Sequence, residues 1–314
     1  MGQGVNTANE PRGGSMAREI IQPVSETYVA SVAMHSAMGD PTTNLDRIAE
    51  WSSKAREQGA AFALFPEECI TGSMNKSDIP PEESMRIAEA AAAQSVPFLE
   101  SLCRELDMTL VVGTIEPAGG RYRNSAYIVG PGGYLATFTK LHIPNATERA
   151  WFEPGSQLPV VTSQGWTFGV GICYDLRFPE IFRTAAQQGA DFFLLAVGAS
   201  GCADNVTPDG DQTEQAAEHR QLAAQVLPAR AVDNALYIFY ANQAGKSGNA
   251  WFPGLAFAID PNGQFIDEHA PLEGMIVTEV SRELIEQARS SGCFTANEAR
   301  PDLYASPQIV SGTP

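Results

Sequence analysis

The stretch "TFGVGICYDLRFPEIFRTAAQQGADFFLLAVGAS", residues 167 to 200, decides how the chain folds. An apolar run ends at a charged turn, a helical pattern follows through "LRFPEIFRTAAQQG", and a second apolar run, "FFLLAV", closes it. Strand, helix and strand in that order predict a parallel βαβ unit, because parallel neighbours need a long crossover between them. The series continues through the helical "QTEQAAEHRQLAAQVLPARAVDN" to another strand, "ALYIFYANQ".

Upstream the same alternation occurs. The strand-like "TYVASVAM", "AFALFPEE" and "DMTLVVGTIEP" are separated by the helical "NLDRIAEWSSKAREQG" and "EESMRIAEAAAAQSVPFLESLCREL". Between the two series, "YRNSAYIVGPGGYLATFTKLH" reads as a hairpin turning at Pro131-Gly132-Gly133. After the second, "GLAFAIDPNGQFIDEH" turns at Asp260-Pro261-Asn262-Gly263, and "GMIVTEV" is a last strand. No linker divides the chain, so one α/β domain with two sheets is expected over residues 26–290. Residues 1–25, rich in Gly, Pro, Asn and Ser, read as a flexible leader, and residues 291–314 as a C-terminal extension that is a candidate oligomer interface. The halves share no fixed-period repeat.

The chain has 314 residues, 44% of them hydrophobic, enough to bury a sizeable core. Its formal net charge of -17 repels phosphate backbones and anionic headgroups, which argues against nucleic-acid and membrane-surface roles. The five cysteines (Cys69, Cys103, Cys173, Cys202, Cys293) lack C-x-x-C spacing, and the four histidines form no H-E-x-x-H pair. No disulfide framework, metal site or cofactor is therefore expected. Without a bilayer-length apolar run or a secretory signature, a cytoplasmic location is expected, and Asn145-Ala-Thr147 carries no glycosylation meaning.

In sheets built from βα units, ligands bind beyond the carboxyl ends of the strands. Three such ends carry reactive groups: Glu67 and Glu68 after "AFALFP", Lys140 after "YLATFT", and Cys173 after "FGVGI". A carboxylate, an ammonium and a thiol suffice for acyl transfer through a thioester. Each alone is weak, since a lone cysteine at the end of a buried strand is more often an inert core residue. A Cys/His dyad with His142 stays open: two residues beyond Lys140, His142 shares that residue's face if both follow a strand pattern. Rival chemistries fail on single letters. Tyr174 stands where a dinucleotide loop needs its third glycine, and Tyr240 where the phosphate loop suggested by "YANQAGKS" needs its first. No G-x-S-x-G elbow is present.

Taken together, "FPEE" (65–68), "TKLHIPNATERAWFEPG" (139–155) and "GVGICYDLRFPE" (169–180) resemble the three signature regions of the nitrilase superfamily of carbon-nitrogen hydrolases. The likeness extends through "PARAVDNALYIFYANQAG" and "GLAFAIDPNGQF" and spans residues 28 to 281. It implies a four-layer α-β-β-α sandwich of two mixed sheets flanked by helices, which explains strands apolar on both faces such as "FFLLAV". It also implies a homodimer or higher homo-oligomer.

The same resemblance assigns Glu67 as general base, Lys140 as the cation, Cys173 as nucleophile and Glu148 as the group orienting Lys140 or the substrate. Glu68 is then a bystander. The backbone N–H of Tyr174 joins Lys140 in holding the oxyanion, and Lys140 is expected to lower the Cys173 pKa. Cys173-Tyr174-Asp175 with "RFPE" is similar to the aliphatic and omega-amidase branches, which implies a linear small-molecule amide as substrate. Arg177 then either pairs with a substrate carboxylate or forms an ion pair with a glutamate of the next helix. Nitrile or N-carbamoyl hydrolysis, acyl transfer to an amine, and a non-catalytic binding protein are the alternatives. Ala256 and Asp233-Asn234 depart from the family pattern, outside the catalytic set.

Overall fold

Six consecutive buried residues, Phe192 to Val197, have to bury both faces of their strand, and the architecture follows from that demand. In the computed structural model, Phe192, Leu194 and Ala196 point into a core between two sheets. Phe193, Leu195 and Val197 point the other way, under a helical layer. The structure describes residues 1–2, 25–201 and 212–304. Most of the expected leader, Cys202 and the end of the C-terminal extension lie outside the described residues.

In chain order the first half comprises β1 (Glu26–Ala33), α1 (Pro41–Glu57), β2 (Phe62–Leu64), α2 (Pro81–Leu106), β3 (Thr109–Ala118), β4 (Arg121–Gly130) and β5 (Gly133–Thr139). A short helix α3 (Ala146–Trp151) leads to β6 (Val160–Ser163), β7 (Trp166–Ile172), α4 (Pro179–Gln187), β8 (Phe192–Val197), α5 (Gln212–Asn234) and β9 (Tyr237–Asn242). The small hairpin β10 (Ala244–Ser247) and β11 (Ala250–Pro253) precedes β12 (Ala256–Ile259) and β13 (Phe265–His269). Strand β14 (Gly274–Ser281) returns to the first sheet, followed by α6 (Arg282–Arg289) and a last turn α7 (Pro301–Tyr304).

The first sheet runs β14-β1-β2-β3-β4-β5 and the second β13-β12-β9-β8-β7-β6. Each holds three parallel strands, flanked by one antiparallel strand on one side and an antiparallel hairpin on the other. The two sheets thus share an arrangement of directions that the sequence conceals, although the lone flanking strand comes from far along the chain in the first (β14) and directly precedes the parallel strands in the second (β6). Helices α1 and α2 cover the first sheet and α4 and α5 the second, giving the four expected layers. Between the sheets, the Phe62 and Phe168 rings each lie 5.3 Å from that of Phe192, and Phe239 lies 6.0 Å away. Each such ring contributes about 1.5–3 kcal/mol by burial, so the sheet interface is where the domain is held.

Helix α1 starts three residues before the sequence pattern suggests, because the Asp40 side chain caps it by accepting from Thr43 N at 3.1 Å. Strands β6, β10 and β11 and helices α3 and α6 were not legible. They have four to eight residues, too few to display a period. The described part of residues 291–304 packs on its own chain: Arg183 donates to Thr295 O at 2.8 Å and Gln187 to Ala296 O at 2.9 Å. Among the described residues no helix is long and apolar enough to cross a membrane.

The glycine at position 169 is a packing requirement. A Cβ there would stand 2.7 Å from the Phe193 ring and 2.9 Å from Ala185 Cβ. Gly169→Ala is therefore expected to destabilise the fold by about 1–3 kcal/mol, read as a lower urea midpoint with an unchanged slope.

Candidate active site

Three chain turns meet at one edge of the two sheets: the turn after β2, the residues after β5, and the 3-10 turn Cys173–Arg177 after β7. Since β2 and β7 belong to different sheets, the carboxylate and the thiol face each other across the sandwich.

The turn carrying Glu67 rests on β3. Phe65 N donates to Val111 O at 2.8 Å and Ile70 N to Gly113 O at 3.0 Å. A Cβ on Gly113 would sit 2.2 Å from Pro66 O, so only glycine lets this turn approach the strand. From the opposite sheet, Gln243 Nε2 donates to Glu67 O at 2.7 Å. Lys140 is fixed through its backbone, with its N–H on Asn124 O at 2.8 Å and its carbonyl accepting from Gly155 N at 2.9 Å. Glu148 is delivered by α3, whose start is capped by Asn145 Oδ1 accepting from Glu148 N at 2.9 Å.

Cys173 adopts a left-handed backbone conformation, φ 45°, unusual for a residue with a side chain and costing of order 1–3 kcal/mol. The buried Asp175 holds this turn, accepting from Ile172 N at 3.0 Å, His142 N at 3.0 Å and His142 Nδ1 at 2.7 Å. His142 thus lies in a loop, spends its Nδ1 on Asp175 and stacks on Phe178 with centroids 3.4 Å apart, which removes the reason for a Cys/His dyad. Tyr174 is the second residue of a 3-10 helix, where backbone N–H groups have no intrahelical partner and stay available to an oxyanion.

The side chains converge on Lys140, which is 1% exposed. Its Nζ donates to Glu67 Oε1 at 2.8 Å and Glu148 Oε2 at 2.9 Å. Asn124 Nδ2 donates to Glu67 Oε1 at 2.7 Å and Glu68 Oε1 at 3.1 Å. Burial opposes ionisation of Glu67, but Lys140 and then Lys76 outweigh it and hold the carboxyl below its ordinary range. Lys140, despite its burial, is held well above the usual lysine range by Glu67, Cys173 and Glu148.

Cys173 behaves otherwise than expected. Lys140 does favour the thiolate, but desolvation first and the Glu67 charge second prevail, so the thiol pKa goes up. An ionised carboxylate beside a protonated thiol can take that proton as sulfur attacks a carbonyl, with an ammonium and an N–H nearby for the oxygen.

Of the residues expected from the sequence, Glu67, Lys140 and Glu148 form one hydrogen-bonded chain, with Cys173 and Tyr174 beside it. Arg177 does not join them: it is exposed, its guanidinium 5.9 Å from the Tyr174 ring centroid, and it makes no ion pair with Glu180. Asn124, Gln243 and Lys76 are additions. A polar letter inside a buried strand could have signalled Asn124, and the strand-end rule Gln243, but nothing singled out Lys76. Two cavities border the site. One of about 610 Å³ is lined by His142, Ile143, Arg149, Tyr174 and Phe178, and one of about 450 Å³ by Asn75, Lys76, Ser200, Asn249 and Trp251.

Residues 28–290 match the carbon-nitrogen hydrolase family model. The chain is 29% identical to the omega-amidase of Saccharomyces cerevisiae over 291 residues, covering 88% of this chain and 94% of that protein. It is 28% identical to a nitrilase of Pyrococcus abyssi, over 83% and 92% of the two chains. Among solved structures it resembles a variant of the amidase from Nesterenkonia sp. AN1, with TM-score 0.67, 28% identity and coverage of 85% and 95%. In that structure the acetamide moiety of fluoroacetamide is covalently attached at the active-site cysteine.

Glu68, buried beside Glu67, has its pKa pushed up to about 8 by desolvation and then by that neighbouring charge. The folded state therefore keeps a proton that the unfolded chain loses near the ordinary value of 4.5, so this group costs stability as pH rises from 4.5 toward 8. Thermal melts of Glu68→Gln and the parent should accordingly diverge in favour of the variant between about pH 5 and pH 8. A constant gap would mean that Glu68 is not protonated in the fold.

Proposed function

The chain belongs to the carbon-nitrogen hydrolase family, and from that premise we propose that it hydrolyses a linear small-molecule amide to a carboxylic acid and ammonia through a thioester on Cys173. The observation that carries this reading is the buried Glu67–Lys140–Glu148 chain set against a thiol on a strained turn.

Because the thiol stays protonated at rest, attack is assisted by a base rather than by a preformed thiolate. Glu67 accepts the S–H proton while sulfur bonds to the amide carbon. The carbonyl oxygen becomes an oxyanion held by Lys140 Nζ and the Tyr174 N–H. When it collapses, the C–N bond breaks and Glu67 returns the proton to the departing nitrogen, giving ammonia and a thioester. Water then attacks the thioester carbon and gives its proton to Glu67. The C–S bond breaks, the acid leaves, and the proton returns to sulfur. Glu148 keeps Lys140 aimed at the oxyanion position while neutralising part of its charge.

The similarity to a protein named a nitrilase keeps one alternative in view, attack of the same thiol on a nitrile carbon. A panel of aliphatic amides, nitriles and N-carbamoyl compounds scored for ammonia separates the two. Amides should lead, and Cys173→Ala and Glu67→Gln should each lose at least about 10³-fold in kcat. Hydroxylamine should divert the acyl group to a hydroxamate, as a thioester requires. Faster turnover of nitriles would overturn the amide assignment, and binding of amides without any ammonia would make the protein a binding module.

A further inference from the structure

Glu68 directly follows Glu67 and is 2% exposed. Its backbone is left-handed, φ 55°, a conformation that glycine adopts without the strain a side chain brings. Its carboxyl is enclosed beside a second carboxylate, so it keeps a proton at neutrality. An apolar side chain would fill the same space without a polar group to satisfy. Neither the backbone nor the packing therefore asks for glutamate at this position.

The contacts of its carboxyl lead to Glu67 by two routes. Asn124 Nδ2 donates to Glu68 Oε1 at 3.1 Å and to Glu67 Oε1 at 2.7 Å, which holds the two oxygens within about 6 Å of each other. Asn124 gives up its acceptor for this, since its own Oδ1 is buried with no hydrogen-bond partner among the described residues. On the other side Glu68 hydrogen-bonds Ser73, whose Oγ accepts from Gln243 Nε2 at 3.0 Å, and that same amide donates to Glu67 O at 2.7 Å. Glu67 is left with unequal oxygens. Oε1 accepts from Lys140 and Asn124, whereas Oε2 accepts from nothing among the described residues and lies against Gly198, where an added Cβ would stand 2.9 Å away.

We propose that Glu68 is a positioning residue for Glu67: through the Asn124 amide that both carboxyls share, it holds Glu67 with Oε1 engaged and Oε2 presented to the proton of Cys173. The inference rests on the amide-hydrolase reading above and adds to it the group that aims its base. Glu68 takes no proton in the cycle and acts only through Asn124. The side chain that the resemblance leaves a bystander thus decides which oxygen of Glu67 reacts.

At pH 7, Glu68→Met should lose at least about tenfold in kcat on an amide that the wild type hydrolyses, with KM changed less than about twofold, because aim and not affinity is lost. Glu68→Gln should recover most of that loss, since its amide oxygen accepts from Asn124 as the carboxyl does. Glu68→Asp, whose carboxyl is one methylene short of Asn124, should behave like Glu68→Met and replaces it if that variant does not fold. Combined with Asn124→Ala, Glu68→Met should cost nothing further, because the route is already cut. Wild-type kcat in Glu68→Met or Glu68→Asp, losses confined to KM, a Glu68→Gln as impaired as Glu68→Met, or losses that multiply with Asn124→Ala would each overturn the inference. Alkylation of Cys173 by iodoacetamide, followed by mass spectrometry of its peptide, reads the base without turnover. If no amide released ammonia, the hydrolase reading would fail, yet this rate would still decide. Slower alkylation in Glu68→Met that Glu68→Gln restores supports the positioning role, and equal rates in wild type and Glu68→Met refute it.

Discussion

An ammonium buried between two carboxylates is the constraint from which the rest of this structure follows. Lys140 is almost inaccessible to water, and an isolated charge there would be costly. The cost is offset because Glu67 and Glu148 both hydrogen-bond its Nζ, leaving two negative charges against one positive. Glu68 stays protonated near neutrality, and the Lys76 charge lies within electrostatic reach, so the cluster is close to neutral as a whole. A buried ion pair is poor evidence for stability, since an apolar replacement often does as well. Its presence at a sheet edge is better explained by chemistry than by folding.

Much of this was legible in the sequence for a physical reason. Strands buried on both faces cannot be polar, so "FFLLAV" and "YIFYAN" stand out, and helices packed against them carry a period. Reactive letters just past such strands lie at the common edge, which is why Glu67, Lys140 and Cys173 stand out in the sequence. What was hidden is what depends on tertiary approach. Gly113 is necessary only because the Pro66 carbonyl lies against it, and Asn124 is polar only because two carboxylates need its amide. Lys76 carries no local pattern at all.

The Cys173 thiol shows where a local argument gives the wrong sign. A cation beside a cysteine favours the thiolate, and Lys140 does so here, but its charge is already committed to two carboxylates. Burial and the Glu67 charge then decide the outcome. On the proposed mechanism, carboxylate and thiol are thus matched as a proton acceptor and a proton donor, which keeps the thiol less open to adventitious oxidation and alkylation than a free thiolate would be.

The two sheets share one arrangement of parallel and antiparallel strands, yet the candidate site is divided between them: Glu67 and Lys140 follow strands of the first, Cys173 a strand of the second. On the proposed mechanism, a half-molecule folded by itself would present an acid and an amine, or a thiol, and lack the complete set. On the proposed mechanism, turnover on refolding requires the aromatic interface to close and bring the two sets of turns together. Recovery of turnover would therefore time sheet docking, an event that signals from either half alone would miss.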